Sequence, residues 1–81
     1  SRKTHFSVVH LADLEKLAQA GTSDITVETL FAAGTIRRPN PLVKLLSGGE
    51  ISASVRLSVH ASSASAQKAL EKAGGTLTIV E

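Results

Sequence analysis

The chain has 81 residues, a net charge of +2 and 42% hydrophobic residues, with no Cys, Met, Trp or Tyr and only two Phe. That length sets one small domain with a limited core, and the lack of thiols excludes a disulfide framework and any thiolate metal site. Two rings are too few for a single-strand surface built on stacked bases, although phosphate contacts, which need charge and amides, stay open.

Ser1 to His5 is polar and basic without periodicity. It reads as the end of a basic extension, 1–5, ahead of a single globular domain over 6–81. Phe6, Val8 and Val9 begin an extended segment, expected as a strand. Leu11, Leu14 and Leu17 follow at three-residue spacing around Asp13, Glu15 and Lys16. This predicts a short helix or a helical turn, with Asp13 near its start, where a carboxylate suits the helix dipole. Ala20 to Asp24 is small and turn-forming, and reads as a loop. Thr26 is a good N-cap, with Thr29 where a capping box prefers Glu. Val27, Leu30 and Phe31 then give an apolar stripe, so a helix is expected from about Val27 to Ala33, closed by Gly34.

Thr35 to Pro41 breaks the pattern, because Pro39 and Pro41 flank Asn40 and stop both helix and paired strand. Leu42, Val43, Leu45 and Leu46 form a short apolar run that ends at Gly48-Gly49, read as a tight connection between two strands. Val55, Leu57 and Val59 alternate with Arg56, Ser58 and His60, which puts the aliphatics on one face of a strand. Ser62 and Ser63 offer N-cap hydroxyls. Ala66, Ala69, Leu70 and Ala73 recur at helical spacing up to Gly74-Gly75, and Leu77, Ile79 and Val80 close as a last strand.

Charge is uneven along the chain. Residues 29 to 70 hold Arg37, Arg38, Lys44, Arg56 and Lys68 against Glu50 alone, a local +4, and the whole chain has a pI near 9.4. The plain reading is a mixed solvated surface; the functional reading is a weak footprint for an anionic partner. Arg37, Arg38 and Lys44 are the cluster that favours the second, since arginine forks and lysine point charges are the usual phosphate contacts. Arg56, on the polar side of its strand, either extends that patch or is simply solvated.

Catalytic constellations are missing. Ser47-Gly48-Gly49-Glu50 lacks the Gly-Lys-Ser/Thr ending and following helix of a phosphate loop. His60 with Ser62, Ser63 and Ser65 has no acidic third member, and the serines explain themselves as caps. His5, His10 and His60 do not pair at a metal-binding spacing. No apolar run approaches the ~20 residues of a membrane span.

Val43-Lys44-Leu45-Leu46-Ser47-Gly48-Gly49-Glu50 resembles the large-subunit ribosomal protein fifteen family, related to archaeal and eukaryotic protein eighteen, whose members carry a V-K-hydrophobic-L-G-x-G-E stretch before a strand. His60 with Ser62 to Ala66 is similar to its H-x-F-S-x-S-A. Leu70-Glu71-Lys72-Ala73-Gly74-Gly75 matches its helix end, Val9 to Leu14 its V-x-L-x-x-L, and Thr26 to Leu30 its short helix. The likeness covers nearly the whole chain in order and spacing. Ser47 stands for the usual glycine and Ser62 for the usual phenylalanine, so no contact of that ring carries over.

The resemblance implies an α/β fold: a small irregular domain of short strands and two short helices, like the C-terminal domain of that family. It implies a structural, non-catalytic part of the large subunit of a bacterial-type or organellar ribosome. Ribosomal RNA and neighbouring large-subunit proteins are the implied partners, with no cofactor, membrane or small-molecule substrate. The family's Gly/Arg/Lys-rich extension is expected to end at Ser1-Arg2-Lys3. RNA contacts are expected at Arg2, Lys3, Arg37, Arg38 and Lys44, then at Ser63 and Ser65 where a helix start favours anions, with Lys68 one turn on. The alternative is a protein–protein interaction module that docks through an aliphatic patch without touching RNA.

Overall fold

The computed structural model describes residues 6–37 and 42–80. The expected basic end at 1–5, with Arg2 and Lys3, and also Arg38, lie outside the described residues. Strand β1 (Phe6–His10) leads directly into helix α1 (Leu11–Gln19). Then come β2 (Asp24–Ile25), helix α2 (Val27–Ala32), β3 (Leu42–Leu46), β4 (Arg56–Val59), β5 (Ala61–Ser62), helix α3 (Ala64–Lys72) and β6 (Thr76–Ile79).

The α/β class is the one expected. The described helices number three rather than two, because the Leu11 segment is a full helix of nine residues. Its start is fixed by the His10 backbone N–H donating to Asp13 Oδ2 at 2.8 Å, half of a capping box. Its inner face buries Leu11 and Leu14. Helix α2 starts as expected, with the Thr26 hydroxyl accepting the Thr29 N–H at 3.2 Å, and helix α3 starts on the Ser63 hydroxyl, which accepts the Ala66 N–H at 3.2 Å. Helix α3 ends where the Gly74 N–H donates to the Glu71 carbonyl and the Gly75 N–H to the Leu70 carbonyl, both at 2.9 Å. Gly74 has φ +87°, a left-handed conformation that a side chain would oppose. Gly34 and Thr35 repeat the pattern after α2, and Gly21 and Thr22 after α1.

The strands form two three-stranded parallel sheets, ordered β1-β3-β5 and β2-β4-β6. Odd strands go to one sheet and even strands to the other, so the chain crosses between them at every step from one strand to the next. The Gly48-Gly49 connection is therefore not a tight turn between paired strands. It opens residues 47–55, which carry the chain from β3 in one sheet to β4 in the other; parallel pairing forbids a two-residue hairpin. The glycines serve a different end. The Ala12 N–H donates to the Gly48 carbonyl at 3.0 Å. A Cβ on Gly48 would collide with the His10 ring, and one on Gly49 would lie 2.6 Å from the Ala12 Cβ. Both glycines let the crossing segment touch the start of α1.

The alternation in β4 is as read: Val55, Leu57 and Val59 are buried while Arg56 is exposed. Asp24, expected in a loop, opens the two-residue β2. The core joins both sheets and all three helices, with Val9, Val43 and Leu45 from the first sheet, Ile25, Leu57 and Val59 from the second, and Leu14, Leu30 and Leu70 from the helices.

Candidate nucleic-acid interface

The candidate cations sit on separate elements. Arg37 is exposed, directly after the buried Ile36 that anchors the end of the α2 region. Lys44 is the middle residue of β3 and half-buried. Its neighbours Val43 and Leu45 are fully buried, so strand alternation turns Lys44 to the outer face of the first sheet. There its Nζ stands 5.9 Å from the centroid of the Phe6 ring, within the range of a cation–π contact. Lys68 is exposed on α3, whose Ala66 and Leu70 pack into the core with Val43 and Leu45. The first sheet thus lies between Lys44 and α3, and the two lysines belong to different surfaces.

Arg56 has a different setting. It begins β4 with Asp24 as its partner on β2 and Thr76 as its partner on β6. A carboxylate thus stands beside Arg56 in the strand register, whereas β1 and β3, the strands around Lys44, hold no acidic residue.

The serines at the start of α3 are engaged within the fold. Ser63 caps the helix with its hydroxyl and donates its backbone N–H to the Leu45 carbonyl at 3.0 Å. The Ser65 hydroxyl donates to the Ser47 hydroxyl at 3.2 Å. These bonds dock the helix start against the end of β3.

Two polar residues outside the expected contact set organise the fold around these elements. His60 is the single residue between β4 and β5, where the chain changes sheets. Its backbone N–H donates to the Val43 carbonyl at 2.9 Å, and its Nδ1 accepts the Val43 N–H at 3.0 Å. An accepting Nδ1 puts the proton on Nε2, so the imidazole acts as a strand partner. Glu15, on α1, accepts the Ser52 N–H at 3.1 Å and the Ala53 N–H at 3.2 Å on Oε1. Its Oε2 accepts from the Ser52 hydroxyl and from Gln19 Nε2. The Ser52 amide first, then the Ala53 amide and the Gln19 side chain, hold this carboxyl below the ordinary glutamate range. Nothing local signals either role, since the partners lie 17 and 37 residues away in sequence.

Glu15 also lines a shallow cleft of about 700 Å³ between α1, residues 49–52 and α3. Its carboxylate is already committed to four donors there, which suits a clamp rather than a proton carrier. Among the described residues no polar or charged side chain is buried, no group of three or more His, Cys, Asp or Glu is placed to hold a metal ion, and no helix is long and apolar enough to cross a membrane.

Comparison with known proteins matches this architecture to one family. The family model for ribosomal proteins 50S-L15 and 50S-L18e, with their 60S counterpart, matches residues 8–78. Large ribosomal subunit protein uL15 of Paracoccus denitrificans is 42% identical over 81 aligned positions, covering 95% of this chain and 50% of the relative. The protein of the same name from Streptomyces coelicolor is 46% identical over 76 positions, covering 94% and 49%, and that from Thermobifida fusca is 45% identical over 76 positions, covering 94% and 50%. The chain spans about half the length of the curated relatives it matches. With the match running from β1 to β6 at this level of identity, the chain belongs to the ribosomal protein family of 50S-L15 and 50S-L18e.

Proposed function

We propose that the chain is a structural, non-catalytic part of the large subunit of a cytoplasmic, bacterial-type ribosome, and that it holds ribosomal RNA by neutralising phosphates and supports subunit assembly. The observation that carries the reading is the family match over residues 8–78. The exposed Arg37 and Lys68 and the outward Lys44 are its contacts within the described residues, joined by Arg38, next to Arg37 in the sequence, and by Arg2 and Lys3 at positions 2 and 3. Ser63 and Ser65 act by fixing the start of α3, whose first turn is a secondary phosphate site. Such contacts read RNA through its backbone and shape rather than its base edges.

Neighbouring large-subunit proteins are the second class of partner. Ile79 and Val80, 49% and 40% exposed after the end of the core, give them an apolar contact.

The test is binding of the chain to large-subunit ribosomal RNA across a salt series. Phosphate neutralisation gives an affinity that falls steeply with ionic strength, whereas an aliphatic interface does not. Replacing Arg37 and Arg38 together with Ala should weaken binding across RNA sequences and flatten the logarithmic salt slope by about two at most. An unchanged slope removes both arginines from the interface.

A further inference from the structure

The outer face of the first sheet is apolar, yet it carries a cation and no carboxylate. Phe6, Val8 and His10 of β1 stand in register with Leu42, Lys44 and Leu46 of β3. Phe6, Val8 and Leu42 are 39%, 42% and 42% exposed, with the Lys44 ammonium 5.9 Å from the Phe6 centroid. The acidic residues of the described chain lie outside β1, β3 and β5; Asp13 is already bonded to the His10 N–H, and Glu50 is in the crossing segment, four residues past the end of β3. Arg37 is five peptide links from Leu42, so covalent geometry keeps the Cα of a second cation within ~18 Å of that residue.

An exposed ring beside an ammonium suits a partner that offers a flat π-surface and an anion together. A nucleotide does so: its base stacks on the ring, its phosphate takes the ammonium, and Val8 and Leu42 cover the sugar. A purely aliphatic protein segment would desolvate Lys44 and return no anion, which is unfavourable. On the reading that the chain binds ribosomal RNA, we infer that Phe6 and Lys44 form a one-nucleotide site, in which Phe6 stacks an unpaired base and Lys44 holds the phosphate. In the free protein the ammonium rests against the ring; on binding it turns to the phosphate.

The test uses the whole chain with purified large-subunit ribosomal RNA. Ultraviolet cross-linking followed by mass spectrometry should place a nucleotide on Phe6. Phe6→Leu should weaken binding about 5- to 150-fold, the range set by losing one stacked base, while the salt slope stays unchanged. Phe6→Tyr should bind like the parent, and Lys44→Gln should flatten the slope by roughly 0.7–0.9. Phe31→Leu, at a ring 43% exposed on α2, should change nothing. Circular dichroism confirms that each variant is folded. If the parent chain binds RNA with a salt dependence, and Phe6→Leu equals it with no adduct on Phe6, the site is overturned and the broader reading stands. Absence of salt-dependent binding by the parent at low ionic strength overturns both. Loss of affinity for large-subunit proteins alone in Phe6→Leu overturns the site in favour of a protein surface.

Discussion

Glu15 and His60 each spend a polar side chain on backbone amides of a distant segment. Glu15 bonds the Ser52 and Ala53 amides at 3.1 and 3.2 Å, and those bonds keep its carboxyl acidic in the folded state. A carboxyl with a lowered folded-state pKa adds stability above its unfolded value, and that stability is lost as pH falls through the folded value. Glu15→Gln should therefore be less stable than the parent at neutral pH, and the gap should close in acid; urea unfolding of both proteins across that range measures it. Hydrogen exchange at Ser52 and Ala53 should quicken in the variant, because the segment that crosses from β3 to β4 has lost its tie to α1. The His60 ring completes the Val43 N–H, whose residue is fully buried. His60→Ala leaves that donor without a partner, and should lower unfolding stability by about 1–3 kcal/mol. Equal denaturation midpoints for His60→Ala and the parent would show that water replaces the ring.

Element ends show where sequence chemistry reads clearly. The alternation of Val55, Leu57 and Val59 gives the buried face of β4 directly, and Thr26, Ser63 and Gly74 mark helix limits through bonds that each makes with its own neighbours. Strand partners are not legible in the same way, since a two-residue period fixes a face but not the strand that pairs beside it. Hence the Gly48-Gly49 step reads as a tight strand connection, although β3 and β4 lie in different sheets. Strands β2 and β5 are two residues each, too short to show any period. Of the candidate site, the cations were legible as residue types. Their distribution was not, because it depends on which face of the first sheet Lys44 occupies and on Asp24 standing beside Arg56. The end of α3 carries a prediction at this scale. A Cβ on Gly75 would lie 2.7 Å from the Val55 carbonyl oxygen, so Gly75→Ala must push the entry to β6 away from the residue that leads into β4. Gly74→Ala strains a left-handed residue and should cost about 1–2 kcal/mol. Chemical denaturation should rank both below the parent, and an unaltered midpoint for Gly75→Ala would mean that the entry to β6 moves away from Val55 without cost.

Two sheets that alternate along one chain cannot be stabilised independently if they share a core. Leu45 of the first sheet and Leu57 of the second belong to one buried cluster, closed by Leu14 of α1 and Leu70 of α3. For a chain of this size, total stability is of the order of 4–12 kcal/mol. Truncating one such leucine costs about 2–5 kcal/mol, a large share of the whole. The loss cannot stay within one sheet, because each crossing segment would have to remain folded against a partner that has lost its packing. Leu45→Ala should therefore lower protection against hydrogen exchange in β4 and β6 by the same free energy as in β1 and β3, with one unfolding transition for every probe. If β6 kept its parental protection while β1 lost its own, the two sheets would be separate cooperative units. The first sheet could then be rearranged by a bound partner without disturbing the second. A single transition instead means that a partner seated on the outer face of the first sheet stabilises the entire chain, by an amount fixed by its concentration relative to its dissociation constant.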